Sequence, residues 1–222
     1  MKITILTLFP QMLKSPFDFS IIKRAIEDGK IQINLVDIRE FGEGKHKVVD
    51  DKPYGGGIGM VLKVDVLEKA IRSALDQNLN KDEQKVILTS ASGKIYNQAK
   101  AREFSNLKHL IIICGHYEGV DERIMEFVDE EISIGEFVLT GGEIPAMLIV
   151  DSVARLVTGV LKEGATRLES FSDETLEHPQ YTRPENFKGL KVPGILLSGN
   201  HGKIEEWKKE ESLKKTKRNK SN

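Results

Sequence analysis

The stretch Lys108-His109-Leu110-Ile111-Ile112-Ile113-Cys114-Gly115-His116-Tyr117-Glu118-Gly119 decides the fold. Its unbroken apolar run, Leu110 to Ile113, has no polar alternation, which is the pattern of a strand covered on both faces in a parallel sheet. The glycines that follow mark a turn at the strand's carboxyl end, the edge at which open α/β sheets bind ligands.

Working outward, β-rich runs alternate with helical patterns. Lys2–Leu8, Ile31–Ile38, Lys85–Ser90 and Glu131–Ile134 read as further strands. Helices are expected over Ser20–Asp28, closed by Gly29, and over Val64–Leu75, with Val66, Leu67, Ala70, Ile71 and Leu75 on one face. Others fall near Asn97–Phe104, over 121–127, and over Glu143–Val157, with Pro145 in the first turn. Residues 39–60 read as a long polar, glycine-rich loop, and residues 159–190 lose periodicity. The expected organisation is a catalytic unit over 1–160, a linker over 161–180, and a small helical unit over 181–222.

The chain has 222 residues, 39% hydrophobic and 30% charged, with a formal net charge of −1, so nucleic-acid contact has to be local rather than global. One cysteine, no targeting segment and no run long enough to span a bilayer point to a cytoplasmic, soluble protein. Lys214, Lys215, Lys217, Arg218 and Lys220 form a cationic tail, suited either to RNA phosphates or to a solvated terminus.

Common chemistries fail on spacing. Tyr54-Gly55-Gly56-Gly57-Ile58-Gly59-Met60 lacks the third glycine of a dinucleotide fingerprint, Leu62 standing in its place. Gly159 and Gly164 are followed by Ala165-Thr166 rather than the Lys-Ser/Thr of a phosphate loop. The five histidines are scattered, and Cys114, ending an apolar run, reads as a buried small hydrophobe. Three glycine-bearing segments remain: Thr89–Gly93, Cys114–Gly119 and Ile134–Gly142. Alone, each reads as an ordinary turn. Together at one sheet edge they could hold a small ligand that carries both an adenine and a cation.

The segments 54–60, Cys114–Arg123, Ser133–Met147, Tyr181-Thr182-Arg183-Pro184 and Leu197–His201 resemble, in order and spacing, the bacterial tRNA (guanine-N1)-methyltransferase family over roughly residues 1–213. The resemblance implies the SPOUT superfamily, a mainly parallel α/β sheet with a deep trefoil knot plus a small helical C-terminal domain. It implies methyl transfer from S-adenosylmethionine to N1 of the tRNA guanosine 3′ of the anticodon, by a homodimer whose active site is shared between protomers. Carried over residue by residue, the donor-binding positions are Leu88, Thr89, Ser90, Gly115, Tyr117, Glu118, Ile134, Gly135, Glu136, Phe137, Val138, Leu139, Gly141 and Gly142. For Glu118 two readings stay open, the cationic end of the donor or a magnesium ion. The family pattern at the first loop is more often Leu-Ser-Pro-Gln-Gly, whereas this chain has Thr89-Ser90-Ala91-Ser92-Gly93.

Methylating guanine N1 requires a base for its proton and a partner for the charge developing on O6. The resemblance gives these roles to Glu169, where the family has aspartate, and to Arg155. On residue spacing alone, Asp151 and Arg155 stand four apart on a helix, as in a surface ion pair, and Glu169 lies in an acidic stretch with Glu163, Asp173 and Glu174. A knotted enzyme acting on a ribose 2′-hydroxyl or another base, and a non-catalytic RNA-binding protein of the same fold, are the other readings.

Overall fold

The computed structural model describes residues 1–162, 164–166, 169–171 and 175–220, and the chain divides into two compact units, Met1–Leu161 and Lys162–Asn222. In the first unit β1 (Lys2–Thr7) leads into α1 (Pro10–Phe17), α2 (Ser20–Glu27) and β2 (Gln32–Asp37). Two short strands follow, β3 (Asp50–Asp51) and β4 (Val61–Leu62), then α3 (Val64–Ala74), β5 (Gln84–Ile95), α4 (Gln98–Ser105) and β6 (His109–Cys114). A 3-10 segment (Glu122–Phe127), β7 (Glu130–Ser133) and α5 (Glu143–Ala154) complete the unit.

One five-stranded sheet, ordered β2-β1-β6-β5-β7 and parallel throughout, organises this unit. All six residues of β6 are buried, as its unbroken apolar run requires, and β6 lies at the sheet's centre. Alternate side chains serve two cores. Ile3, Ile5, Leu110 and Ile112 face α1, α2, α4 and α5, whereas Leu6, Val86, Leu88, Ile111 and Ile113 face α3. Each such buried aliphatic side chain contributes about 1.5–3 kcal/mol of transfer free energy. α4 is also tied to β5 and β7 by Lys85 and Lys100, which contact Glu103 and Glu130 at 2.6–2.8 Å.

The structure corrects several expectations. Helix α1 was not foreseen at Phe9-Pro10, where the proline occupies the first turn and so starts a helix instead of merely ending a strand. Strand β5 runs on past Ser90 to Ile95 through an irregularity between Thr89 and Lys94. It passes close enough to β7 that a Cβ on Gly93 would lie 2.5 Å from the Glu131 carbonyl carbon. Helix α5 stops at Ala154 rather than Val157, and the long loop at 39–60 contains the strand β3.

The second unit carries a short hairpin, β8 (Asn186–Phe187) with β9 (Leu190–Lys191), then α6 (Gly194–Leu197) and α7 (His201–Lys220). The basic tail is therefore a continuation of α7 over its described residues, not a frayed end. Lys214 pairs with Glu211 at 2.7 Å, and Lys215 Nζ donates to the Glu177 carbonyl at 3.2 Å. No helix among the described residues is long and apolar enough to cross a membrane.

His109, fully buried at the start of β6, shares a 2.9 Å hydrogen bond between Nε2 and Thr4 Oγ1, while its Nδ1 has no partner. Burial, then the nearby Lys2 charge, pushes its pKa from 6.5 down to about 4. Above pH 6.5 the ring is neutral in both folded and unfolded chains. As the pH falls towards 4 the unfolded chain takes the proton first, and stability is lost across that window. We predict that wild type loses up to about 3 kcal/mol more than His109→Gln between pH 6.5 and 4. Urea unfolding at stepped pH measures this, and parallel curves for the two proteins would contradict it.

Candidate active site

A cavity of about 420 Å³ opens at the carboxyl ends of β5, β6 and β7. It is lined by Leu88, Thr89 and Ser90 from β5, by Gly115, Tyr117 and Glu118 after β6, and by Ile134, Gly135, Phe137, Val138, Leu139, Gly141 and Gly142 after β7. The three glycine-bearing segments thus meet at one edge. Of the fourteen donor positions expected from the sequence only Glu136 is absent from the lining, and its side chain is exposed. His116, Ser133, Thr140 and Pro145 also line the cavity. Sequence reasoning passed over them although each stands inside a quoted motif, because none is a glycine and none was among the positions carried over from the resemblance.

Local hydrogen bonds shape each wall. Thr89 Oγ1 donates to the Ile113 carbonyl at 3.0 Å, fixing β5 against β6 where the pairing of the two strands ends. After β6 the chain turns through Tyr117 at φ 60°, closed by the Gly119 N–H to the His116 carbonyl at 3.1 Å. The same turn is bound to the segment preceding α3, since the Glu118 N–H donates to the Met60 carbonyl at 3.1 Å and the Leu62 N–H to the Gly119 carbonyl at 3.0 Å. Gly59 packs under the Glu118 carboxylate, whose Oε1 would lie 2.5 Å from a Cβ there.

The glycines do different things. A Cβ on Gly115 would meet only the Thr89 carbonyl oxygen, at 3.2 Å, so Gly115 borders open cavity. A Cβ on Gly141 would lie 2.5 Å from both Glu143 Oε2 and His116 Nδ1, so this glycine makes room for protein atoms and not, as expected, for ligand. Gly142 is the tightest. Its N–H donates to the Gly115 carbonyl at 2.8 Å, and a Cβ would collide with Thr89 Oγ1 and sit 2.7 Å from Cys114 Cα.

Cys114 is fully buried, and burial together with the Glu143 charge holds its thiol well above the usual range, so it stays protonated and is no nucleophile. Among the described residues no three His, Cys, Asp or Glu side chains gather into a group that could hold a metal ion. Arg155 is half-buried and directly follows α5. Glu169 belongs to the second unit and is half-buried; beside it Ser170 Oγ accepts the Glu177 N–H at 3.0 Å. The acidic neighbours Glu163, Asp173 and Glu174 lie outside the described residues. Also in the second unit, Trp207 stands 6.5 Å from the His178 ring and 6.3 Å from the Tyr181 ring.

The unequal crowding yields a test. Gly142→Ala should lower stability by about 1–3 kcal/mol, because backbone surrounds the added methyl and cannot yield cheaply. Gly115→Ala should cost far less. Equal melting temperatures for the two variants in a calorimetric scan would refute this reading.

The whole chain, residues 1–222, matches the family described as tRNA (Guanine-1)-methyltransferase TrmD. It is 54% identical to a tRNA (guanine-N(1)-)-methyltransferase of Dictyoglomus turgidum, over 97% of this chain and 86% of the relative. Proteins of the same name from Carboxydothermus hydrogenoformans and Bacillus pumilus are 55% and 54% identical, each over 97% of this chain and 84% and 88% of their own lengths. With agreement at this level running along both units, the chain belongs to the tRNA (guanine-1)-methyltransferase family.

Proposed function

We propose that this protein transfers a methyl group from S-adenosylmethionine to N1 of the tRNA guanosine 3′ of the anticodon. The observation that carries the reading is the convergence of three glycine-bearing loops on one cavity at the carboxyl edge of a parallel sheet, in a chain of this family. The residues fit the donor. The cavity volume is that of a small-ligand site, Gly115 leaves its wall open to close approach, and Tyr117 and Phe137 offer aromatic faces for a purine or a cation. Backbone groups of Leu88–Ser90, Gly115, Ile134–Leu139 and Gly141-Gly142 would hold it, with Glu118 towards its positive end.

When bound, the donor supplies an electrophilic methyl carbon on a cationic sulfur. The protein's task is to make guanine N1 nucleophilic. In the proposed step the N1–H bond breaks, its proton passes to the Glu169 carboxylate, and the Arg155 guanidinium holds the charge that develops on O6. Glutamate shares the acid chemistry of the family's aspartate and reaches one methylene further.

The knot, the dimer and the division of labour belong to the same proposal. The tight passage of Gly142 between Thr89 and the Cys114–Gly115 backbone supports a threaded chain. Phe137, Val138, Leu139, Ile144 and Leu148 are all more than a third exposed, an apolar surface suited to a second copy that completes the site. The second unit, with its basic helical end, would meet tRNA phosphates.

Incubating the protein with unmodified tRNA and labelled S-adenosylmethionine, then mapping the modified nucleoside, tests the function directly. Label on a ribose hydroxyl or another base would overturn it. Glu169→Gln should bind donor and tRNA as wild type does and lose single-turnover methyl transfer by about 10² or more, whereas Glu169→Asp keeps activity. For the shared site, mixing Gly115→Val with Arg155→Ala should restore one working centre per heterodimer. Inactive heterodimers, verified by mass spectrometry, would exclude a site built from two protomers.

A further inference from the structure

Glu143 is 2% exposed, and a buried carboxylate needs partners for both oxygens. One oxygen is served: Thr7 Oγ1 donates to Glu143 Oε1 at 2.7 Å, and Thr7 Oγ1 in turn accepts the Phe9 N–H at 2.9 Å, which fixes the direction of the hydroxyl proton. The other oxygen, Oε2, faces His116 Nδ1 across 3.9 Å, and that nitrogen is buried with no hydrogen-bond partner.

The imidazole is otherwise well held. It packs on Phe9 with centroids 5.0 Å apart and meets the Tyr117 ring edge-on at 4.7 Å, and its backbone bridges to Gly141. The bare Cα of Gly141 keeps the lane between Nδ1 and Oε2 clear, because a Cβ there would stand 2.5 Å from each. An approach of about 1 Å would turn the pair into a hydrogen bond of ordinary length. Stability alone does not explain the arrangement at His116, since a buried ring nitrogen left without a partner costs free energy. The wall of the cavity therefore contains one unmade bond between the turn after β6 and the start of α5.

We propose that Glu143 is a positioning residue for the methyl donor: it takes the His116 Nδ1–H as the two loops settle around the ligand, and so fixes Tyr117, the next residue, against it. The inference rests on the reading of this cavity as the donor site. Glu143→Gln keeps the size of the side chain but not the charge. His116→Phe keeps the ring contacts and removes Nδ1; it lies at the cavity wall, so it carries the test alone should Glu143→Gln not fold.

Each variant should raise the dissociation constant for S-adenosylmethionine, by calorimetry, about tenfold, with a matching rise in KM for the donor that exceeds any fall in kcat. The double variant should be no weaker than about tenfold, because the two changes remove one bond. Wild-type donor affinity in a folded His116→Phe protein, or an additive loss near a hundredfold in the double variant, would overturn the inference while leaving the donor site in place. A wild type that binds no S-adenosylmethionine would remove the donor reading and this inference together.

Discussion

Everything in the first unit is arranged around the passage of Gly142. Its N–H is bound to the Gly115 carbonyl, and Thr89, Cys114 and Gly115 stand where its side chain would be. Three segments are brought into contact at this point, β5 through Thr89 where its register breaks, β6 through its last residue Cys114, and the loop after β7 through Gly142 itself. The next residue starts α5, whose apolar face then covers β1 and β6. Loosening this contact would free α5 from its start and open the cavity at once, so the steric minimum at one position couples core packing to the geometry of the site.

The sheet shows how that coupling is supported. β6 is buried on both faces because α3 covers one side and α1, α2, α4 and α5 the other, which leaves only its carboxyl end open. A strand with no polar residue between Leu110 and Cys114 cannot supply a functional side chain from its body. Chemistry is therefore displaced to the turn that follows, where Tyr117 accepts a positive φ and Glu118 is bound through its backbone to Met60. Gly59 and Met60, at the end of the glycine-rich loop, are in this way part of the cavity's outer support.

What was legible follows the strength of the physical signal. The run Leu110–Ile113 announced a central parallel strand, and the periodic Val66, Leu67, Ala70 and Ile71 announced α3, because burial imposes both patterns on the residues themselves. Helix α1 was hidden because Phe9-Pro10 read as the end of the first strand, although a first-turn proline favours a helix start. The extension of β5 was hidden because Ser90 to Gly93 has no apolar alternation and holds its place by a close approach to β7. The site divided in the same manner. Glycines flagged the three segments that meet at the cavity, yet only the fold separates Gly115, which borders space, from Gly141, which accommodates protein atoms. Arg155 and Glu169 carried no signal of their own, since an arginine four residues after an aspartate and a glutamate in an acidic stretch are what any solvated surface offers. Their roles came from resemblance alone.

The buried polar groups make the final step. Thr4, Thr7, His109 and Glu143 are enclosed in a unit whose cores are mainly hydrophobic, and burial of such groups is unfavourable unless hydrogen bonds compensate. Thr4 Oγ1 and His109 Nε2 join at the amino-terminal end of the sheet, which leaves His109 Nδ1 without a partner there. Thr7 and Glu143 lie at the carboxyl end, behind the turn that carries Tyr117, and their chain of bonds stops one ångström short of His116. A fold selected only for stability could have replaced both pairs with apolar residues of similar volume at little cost. An unpartnered ring nitrogen is thus no sign of function by itself, since His109 has one too. What ties the gap at His116 to ligand binding is that it faces a buried carboxylate across 3.9 Å in the wall of the cavity, whereas His109 remains an element of the core.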